Sequence, residues 1–324
     1  MERVAVIERT GGPEVIGWSS TDLSPPGPGE VRMRNTAIGL NYIDTYHRAG
    51  IYPVPLPGGL GSEAAGAVEA VGEGVRDLAP GDRVATFGPT RGAYATARNL
   101  PASELFRLPD DIDDRTAAAV LLKGCTAEFL VERCARVGAG HAVLVWAAAG
   151  GVGQIVVGWL KRVGATVIAV VGTEEKAARV RELGADHIVL HRSEDVAARV
   201  REITDDEGAD VSLDSVGQAS WEASLDSLKR RGLLVSYGNA GGPVTGVNLG
   251  QLAAKGSLFV TRPTLFDYYR EPGERTAGVE RLWAMLRDGA IRPEIGQTFA
   301  LADAADAHRA LEAGETRGSS LLLP

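Results

Sequence analysis

The run Ala148-Ala149-Gly150-Gly151-Val152-Gly153 has the composition and placement of a chemical device. The apolar stretch Val143-Leu144-Val145-Trp146-Ala147 precedes it, and Gln154–Val163 follows with helical spacing. Strand, glycine turn and helix in that order build a corner that holds the pyrophosphate of a dinucleotide. The helix N-terminus offers unpaired N–H groups and the positive end of its dipole. Glycines at this spacing mean little alone; the strand-to-helix context makes them a binding motif. Gly150 reads as the residue that permits the tight turn, and Gly153 as the one that lets helix and strand pack closely.

The following strand indicates which dinucleotide. An NAD-selective corner places Asp or Glu at the tip of the second strand, where it holds the ribose 2′-OH. Here the strand Thr166–Val171 runs into Gly172-Thr173, with no acid at the tip and Lys176 just beyond. A small loop beside a cation suits a 2′-phosphate, so the expected cofactor is NADPH. Glu174 and Glu175 suit the dipole of the next helix from its first turn; directed into the loop, they would repel the phosphate.

The elements that must position these residues follow from periodicity. Up to about Asp110 the chain is β-rich, punctuated by Gly and Pro, with strands at Val31–Arg34 and Gly66–Gly72 and a turn into a strand at Ala79–Val84. Tyr52–Gly59 holds too many prolines for a helix or strand interior and must be a loop. From Ala117 helices and strands alternate. Strands are predicted at Val143–Trp146, Thr166–Val171, His187–Leu190, Val211–Leu213, Leu233–Tyr237 and Leu258–Thr261. Helices are predicted at Glu174–Leu183, Ser193–Ile203, Arg281–Arg287 and Ala302–Glu312, with a last strand at Leu321–Leu323. The alternation predicts an α/β doubly wound parallel sheet.

The 324 residues suffice for two domains. A net charge of −8 argues against nucleic acid and anionic membranes as partners. No apolar run reaches the length of a membrane span, and the N-terminus lacks a signal-peptide core, so a cytoplasmic location is expected. The two cysteines, Cys125 and Cys134, fall in a predicted helical segment from Lys123 to Val137. That spacing puts them on opposite faces, roughly 13 Å apart along the axis, out of reach of a disulfide or a shared metal.

A set of motifs spans nearly the whole chain. It comprises Gly11-Gly12-Pro13-Glu14-Val15, Gly39-Leu40-Asn41-Tyr42-Ile43-Asp44-Thr45-Tyr46, Gly61-Ser62-Glu63-Ala64-Ala65-Gly66 and Gly81-Asp82-Arg83-Val84. The Ala148–Gly153 turn, Gly172-Thr173-Glu174-Glu175-Lys176, Asp214-Ser215-Val216-Gly217, Tyr237-Gly238-Asn239, Val244–Leu249 and Val260-Thr261-Arg262-Pro263 complete it. In this set the chain resembles the zinc-free quinone oxidoreductases of the medium-chain dehydrogenase/reductase superfamily, the group that includes zeta-crystallin. The resemblance implies a GroES-like β-rich catalytic domain over 1–121, completed by 265–324. A Rossmann nucleotide-binding domain over 122–264 is inserted between these parts, with the active-site cleft at the junction. It also implies a homodimer paired through the strand near Leu258–Thr261.

Zinc-dependent relatives hold their metal with Cys and His from the N-terminal half. The corresponding positions here read Gly61-Ser62-Glu63 and Asn41–Thr45, and His47, His141, His187, His191 and His308 show no ligand spacing. No metal is expected. Without one, hydride transfer suits an acceptor that tolerates its developing charge unaided, first a quinone and then an enone or 2-alkenoyl compound. A protein that binds NADPH without turnover is the remaining alternative.

The resemblance points to Asn41, Tyr46, Tyr52 and Thr126 as catalytic. Tyr52 is the expected proton donor and the tyrosines are the surface for a flat ring; Asp44 either lines the cleft or fixes local backbone. For the cofactor it carries over Asn41, Lys123, Ala149, Gly150, Gly151 and Val152, then Gly172, Thr173, Lys176, Ser215, Gly238 and Asn239, and finally Phe259, Val260 and Thr261. His191 stands where relatives often have Tyr. Protonated, it would bind a phosphate better, which predicts NADPH affinity rising below about pH 6.5. Near the C-terminus relatives carry an arginine just before a Thr; here Arg317 follows Thr316 instead.

Overall fold

The computed structural model describes all 324 residues. The chain forms two compact units, Met1–Leu122 with Pro293–Pro324, and Lys123–Arg292.

The first unit is built from strands β1 (Glu2–Ile7), β2 (Gly17–Thr21), β3 (Glu30–Leu40), β4 (Gly58–Gly59), β5 (Glu63–Val71), β6 (Arg83–Phe87), β7 (Ala97–Pro101) and β8 (Leu105–Arg107). Between β3 and β4 lies helix α1 (Tyr42–Ala49); helix α2 (Asp114–Glu128) follows β8. β2-β1-β4 make a small sheet. A larger one runs β15-β16-β3-β5-β6-β8, with β7 also on β3; β15 is Ile295–Ala300 and β16 is Ser319–Leu323. The late strand therefore returns to the first unit as expected, pairing Leu321 with Gly39. Ile7, Met33, Ile38, Leu60, Tyr94 and Leu100 fill the core, almost without exposure. Each such aliphatic side chain contributes roughly 1.5–3 kcal/mol by leaving water.

The second unit holds β9 (Ala142–Trp146), β10 (Thr166–Val171), β11 (His187–Leu190), β12 (Ala209–Asp214), β13 (Leu228–Ser236) and β14 (Phe259–Thr261). All are parallel, in the order β11-β10-β9-β12-β13-β14. Val143–Val145 and Val167–Val170 are fully buried, as strands covered on both faces require. Its helices are α3 (Gly151–Val163), α4 (Glu174–Glu182), α5 (Val196–Ile203), α6 (Trp221–Asp226), α7 (Gly250–Ala254), α8 (Leu265–Tyr268) and α9 (Pro272–Arg287). A tenth helix, α10 (Ala304–Glu312), belongs to the first unit. Strand order reverses at β9, which places the ligand crevice outside the carboxyl ends of β9 and its neighbours.

Two features depart from the sequence reading. The return to the first unit comes at Pro293 rather than at 265, because α9 buries Leu282 against Gly124, where a Cβ would meet Leu282 Cδ1 at 2.3 Å. The segment carrying both cysteines is not one regular helix: α2 ends at Glu128 and a π-turn covers Phe129–Cys134. The wider turn changes the relative facing of Cys125 and Cys134; neither is in a disulfide.

Candidate functional site

The Ala148–Gly153 run links β9 to α3 as expected, with Gly150 as N-cap. Of its two glycines, Gly153 acts as the sequence reading has it and Gly150 does not. Gly150 has φ −76° and ψ 174°, open to any residue, so it is not what permits the turn. The left-handed residue is Ala147, at φ 50°. Gly153 is the indispensable one: a Cβ there would lie 2.3 Å from the Ala147 carbonyl oxygen and 2.7 Å from Ala148 Cα. α3 thus enters directly over the end of β9, with its first N–H groups turned to the crevice.

At the tip of β10, Thr173 caps α4, its Oγ1 accepting the Lys176 N–H at 3.3 Å. Glu174 and Glu175 are exposed on the first turn of α4. A Cβ on Gly172 would lie 3.1 Å from His191 Nε2 and 3.2 Å from Arg192 Nε. His191 and Arg192, which follow β11, therefore lean over Gly172. Burial, with Arg192 and then Lys176 nearby, holds the His191 imidazole below its ordinary pKa. The protonation expected to begin near pH 6.5 is moved lower, and the standing cation beside Gly172 is Arg192. The sequence reading passed over Arg192, although it adjoins the residue singled out. Trp146, whose ring lies 6.3 Å from that of His191, keeps a buried Nε1 without a partner.

The loops after β12 and β13 interlock. Asp214 ends β12 and accepts four hydrogen bonds: from Val216 N (2.7 Å) and Gly217 N (3.1 Å) at Oδ1, and from Ser220 Oγ (2.7 Å) and Ser224 Oγ (2.6 Å) at Oδ2. This holds Ser215 in a tight turn. Gly238 packs on that turn so closely that a Cβ would fall 2.2 Å from Ser215 O. Asn239 follows, on the same loop. Arg262, just past β14, clamps the loop by donating to Gly238 O at 2.9 Å and Ser236 O at 3.1 Å. Phe259 and Val260 themselves lie on the sheet's outermost strand, three positions from β9, and Phe259 is 61% exposed. The structure does not bring their side chains to the glycine turn; Thr261 and Arg262 reach the crevice side through the strand's C-terminal end. Lys123 and Thr126 lie three apart on α2, with Lys123 buried rather than on the surface.

In the first unit, Asn41 is the N-cap of α1, which sequence reading had not made a helix start. Tyr46 and Tyr52 meet edge to face, ring centroids 5.3 Å apart; Tyr42 lies 5.8 Å from Tyr46, and His47 lies 6.2 Å from Tyr52. Burial, with Arg91 nearby, pushes His47 down to about 4. Asn41 Nδ2 donates to Glu63 Oε2 at 2.8 Å, and Glu63 Oε1 accepts Leu122 N–H at 2.7 Å. A carboxylate only accepts, so the amide's nitrogen faces Glu63 and its oxygen faces the other way. That oxygen faces the backbone N–H of Asp44 in the capping box of α1, and Nδ2 also donates to Gly39 O at 3.4 Å, so the Asn41 amide is committed to the protein at both ends. Arg317 pairs with Glu294 at 3.1 Å. No three His, Cys, Asp or Glu side chains form a group able to hold a metal ion, and no helix is long and apolar enough to cross a membrane.

Known proteins share this arrangement. Residues 27–110 match the alcohol dehydrogenase GroES-like domain, and residues 151–267 match the zinc-binding dehydrogenase domain. A quinone oxidoreductase of Pseudomonas aeruginosa is 50% identical over 315 residues, covering 97% of each chain. The chain belongs to the quinone oxidoreductase family. That family lies within the medium-chain dehydrogenase/reductase superfamily, so the β-rich unit is GroES-like and the six-stranded unit is Rossmann-like. A 2-haloacrylate reductase of a Burkholderia species is 44% identical over 332 residues, 100% of this chain and 99% of its own. The crystal structure of Escherichia coli quinone oxidoreductase complexed with NADPH superposes with a TM-score of 0.97 at 43% identity, covering 99% of this chain and 100% of that one.

The cradle in the Rossmann-like unit fits a dinucleotide. Gly153 lets α3 close onto the end of β9 and Gly238 lets its loop close onto the Ser215 turn, and at the tip of β10 His191 and Arg192 lie over Gly172 while Glu174 and Glu175 are exposed.

Proposed function

We propose that this chain reduces a quinone with NADPH and without a metal. The observation that carries the reading is the tip of β10, where Arg192 and His191 cover Gly172 and an NAD-selective acid is missing. A 2′-phosphate is the group such a loop accommodates. Gly150, Gly151, Val152 and Ala149 hold the pyrophosphate at the α3 N-terminus; Gly172, Thr173, Lys176, His191 and Arg192 hold the phosphorylated ribose. Ser215, Gly238, Asn239 and Lys123 orient the nicotinamide end. NADPH, when bound, supplies the hydride. Tyr46 and Tyr52 offer aromatic faces to a flat acceptor, and Tyr52, the more exposed of the two, donates the proton. Thr126 hydrogen-bonds the acceptor oxygen. Asn41, its nitrogen held by Glu63 and its oxygen by the capping box of α1, fixes the start of α1 and so orients rather than stabilises an oxyanion.

Steady-state oxidation of NADPH and NADH with 1,4-benzoquinone, 9,10-phenanthrenequinone, an enone and a 2-haloacrylate tests this. Quinone-dependent turnover that prefers NADPH is expected. The relative named for 2-haloacrylate favours a second reading, reduction of an activated alkene, and turnover only with the alkenes would put it first. NADPH binding with no acceptor-dependent oxidation would leave a binding protein.

We further propose a homodimer and a cytoplasmic location. The outer edge of β14 is unpaired, and Phe259, Val260, Val247 and Leu249 are exposed apolar residues. A second copy is the cover such an edge needs. Phe259→Glu should turn a dimer into monomers by light scattering; an unchanged mass would remove β14 as the interface. Two cysteines that form no disulfide suit a reducing compartment.

A further inference from the structure

A buried hydrogen-bond chain runs through the first unit from the C-terminal helix to the start of α1. Glu312, on α10, accepts from Arg48 Nη1 at 2.9 Å and Nη2 at 2.6 Å. Arg48 Nη1 also lies 3.0 Å from His308 Nδ1, His308 Nε2 lies 3.0 Å from Tyr94 Oη, and Tyr94 Oη donates to Asp44 Oδ2 at 3.1 Å. Asp44 also accepts from Asn41 N (3.0 Å) and Ser62 Oγ (3.1 Å). Arg48, Tyr94, Asp44 and His308 are all at most 2% exposed.

The protons can be assigned. A guanidinium only donates, so Nδ1 of His308 accepts. The single Tyr94 hydroxyl proton goes to Asp44, so Nε2 must carry the imidazole proton and donate to Tyr94. Every bond then points the same way, from guanidinium to carboxylate.

We propose that Arg48, His308 and Tyr94 are positioning residues that hold Asp44, and through it Asn41 and the aromatic face of α1, in the geometry the acceptor needs. This rests on the reading of that face as the acceptor surface. Losing one donor in the chain strands a buried group, and Asp44 turns to the donors left. The N-terminus of α1 moves with it.

The test compares wild type with His308→Leu, His308→Gln, Tyr94→Phe and Glu312→Gln. It measures kcat and KM for the quinone, the Kd for NADPH, and the histidine ¹⁵N spectrum of the wild type. His308→Leu and Tyr94→Phe should lower kcat about tenfold while NADPH binds within about threefold of wild type. His308→Gln, which keeps a donor, should recover most of the loss, and Glu312→Gln should act in the same direction but weakly. The spectrum should show His308 as a neutral Nε2–H tautomer from pH 5 to 8. A wild-type kcat in His308→Leu, glutamine no better than leucine, or an Nδ1–H tautomer would overturn the proposal. If the wild type itself turns over no quinone, the reading of the acceptor surface fails. The tautomer still decides whether the chain is directed as stated, since it does not depend on turnover or on a variant folding.

Discussion

Replacing Gly153 by alanine separates two glycines that a motif treats alike. The added methyl would sit 2.3 Å from Ala147 O and 2.7 Å from Ala148 Cα. Both are backbone atoms at the end of a central strand, so no side chain can swing aside. Non-bonded carbons settle at about 3.5–4.0 Å, so α3 must retreat by about 1 Å. Overpacking of this kind costs about 1–3 kcal/mol of stability, and the rigid neighbours put it near the upper end. A shift of about 1 Å in groups that orient a ligand can cost about a hundredfold. The Kd for NADPH should therefore rise about 30- to 100-fold, equivalent to about 2–2.7 kcal/mol. Gly150→Ala is the control: its methyl would meet only Ala147 O, at 3.2 Å, on a backbone any residue adopts. It should keep a urea midpoint close to that of wild type, where Gly153→Ala lowers it. Titration by NADPH fluorescence, with urea unfolding of the same samples, reads both quantities. NADPH binding by Gly153→Ala within threefold of wild type, or equal damage from the two substitutions, would refute the assignment of the close contact to Gly153.

Arg192→Ala should raise the Kd for NADPH about tenfold or more and leave NADH unchanged, since a hydrogen bond to a charged group is worth about 1.5–3 kcal/mol; equal losses for the two cofactors would count against a 2′-phosphate contact. Asp214→Asn removes the charge that accepts four bonds and makes the Ser220 and Ser224 hydroxyls turn to accept from its NH₂, which should cost about 1–3 kcal/mol, read as a lower urea midpoint; an unchanged midpoint would show that the four bonds contribute little. Below about pH 6.5 the unfolded chain protonates His308 and His47, while the folded pKa values lie at about 3 and about 4. Stability should fall as pH drops through that window. His308→Gln should remove about one proton from the slope, about 1.4 kcal/mol per pH unit; parallel curves for wild type and variant between pH 6 and 4.5 would contradict it.

Much of the Rossmann-like unit could be read directly. Thr166–Val171 and His187–Leu190 fall where periodicity put them, because a parallel strand buried on both faces is a continuous apolar run with polar ends. The glycine turn and the acid-free loop after β10 were visible for a similar reason: a backbone too crowded for a Cβ leaves a glycine behind. α1 was missed although Asn41, Asp44 and Gly50 carry capping chemistry, because eight residues are too few to show a period. The unit boundary at Pro293 was misplaced because the packing of α9 on α2 leaves no mark on α9 that distinguishes one partner from another.

Residue order alone determined the dinucleotide corner, its lack of a ribose-binding acid and the alternation that builds the sheet. Each is written in neighbours a few positions apart. Tertiary structure decided the rest: which glycine is indispensable, that Arg192 stands over Gly172, that Glu63 turns the Asn41 amide, and that His308 lies 3.0 Å from a tyrosine 214 residues away. These are contacts between segments distant along the chain, and they set charge, tautomer and orientation. Local propensity carries no information about which distant partner a buried polar group meets once the core closes around it.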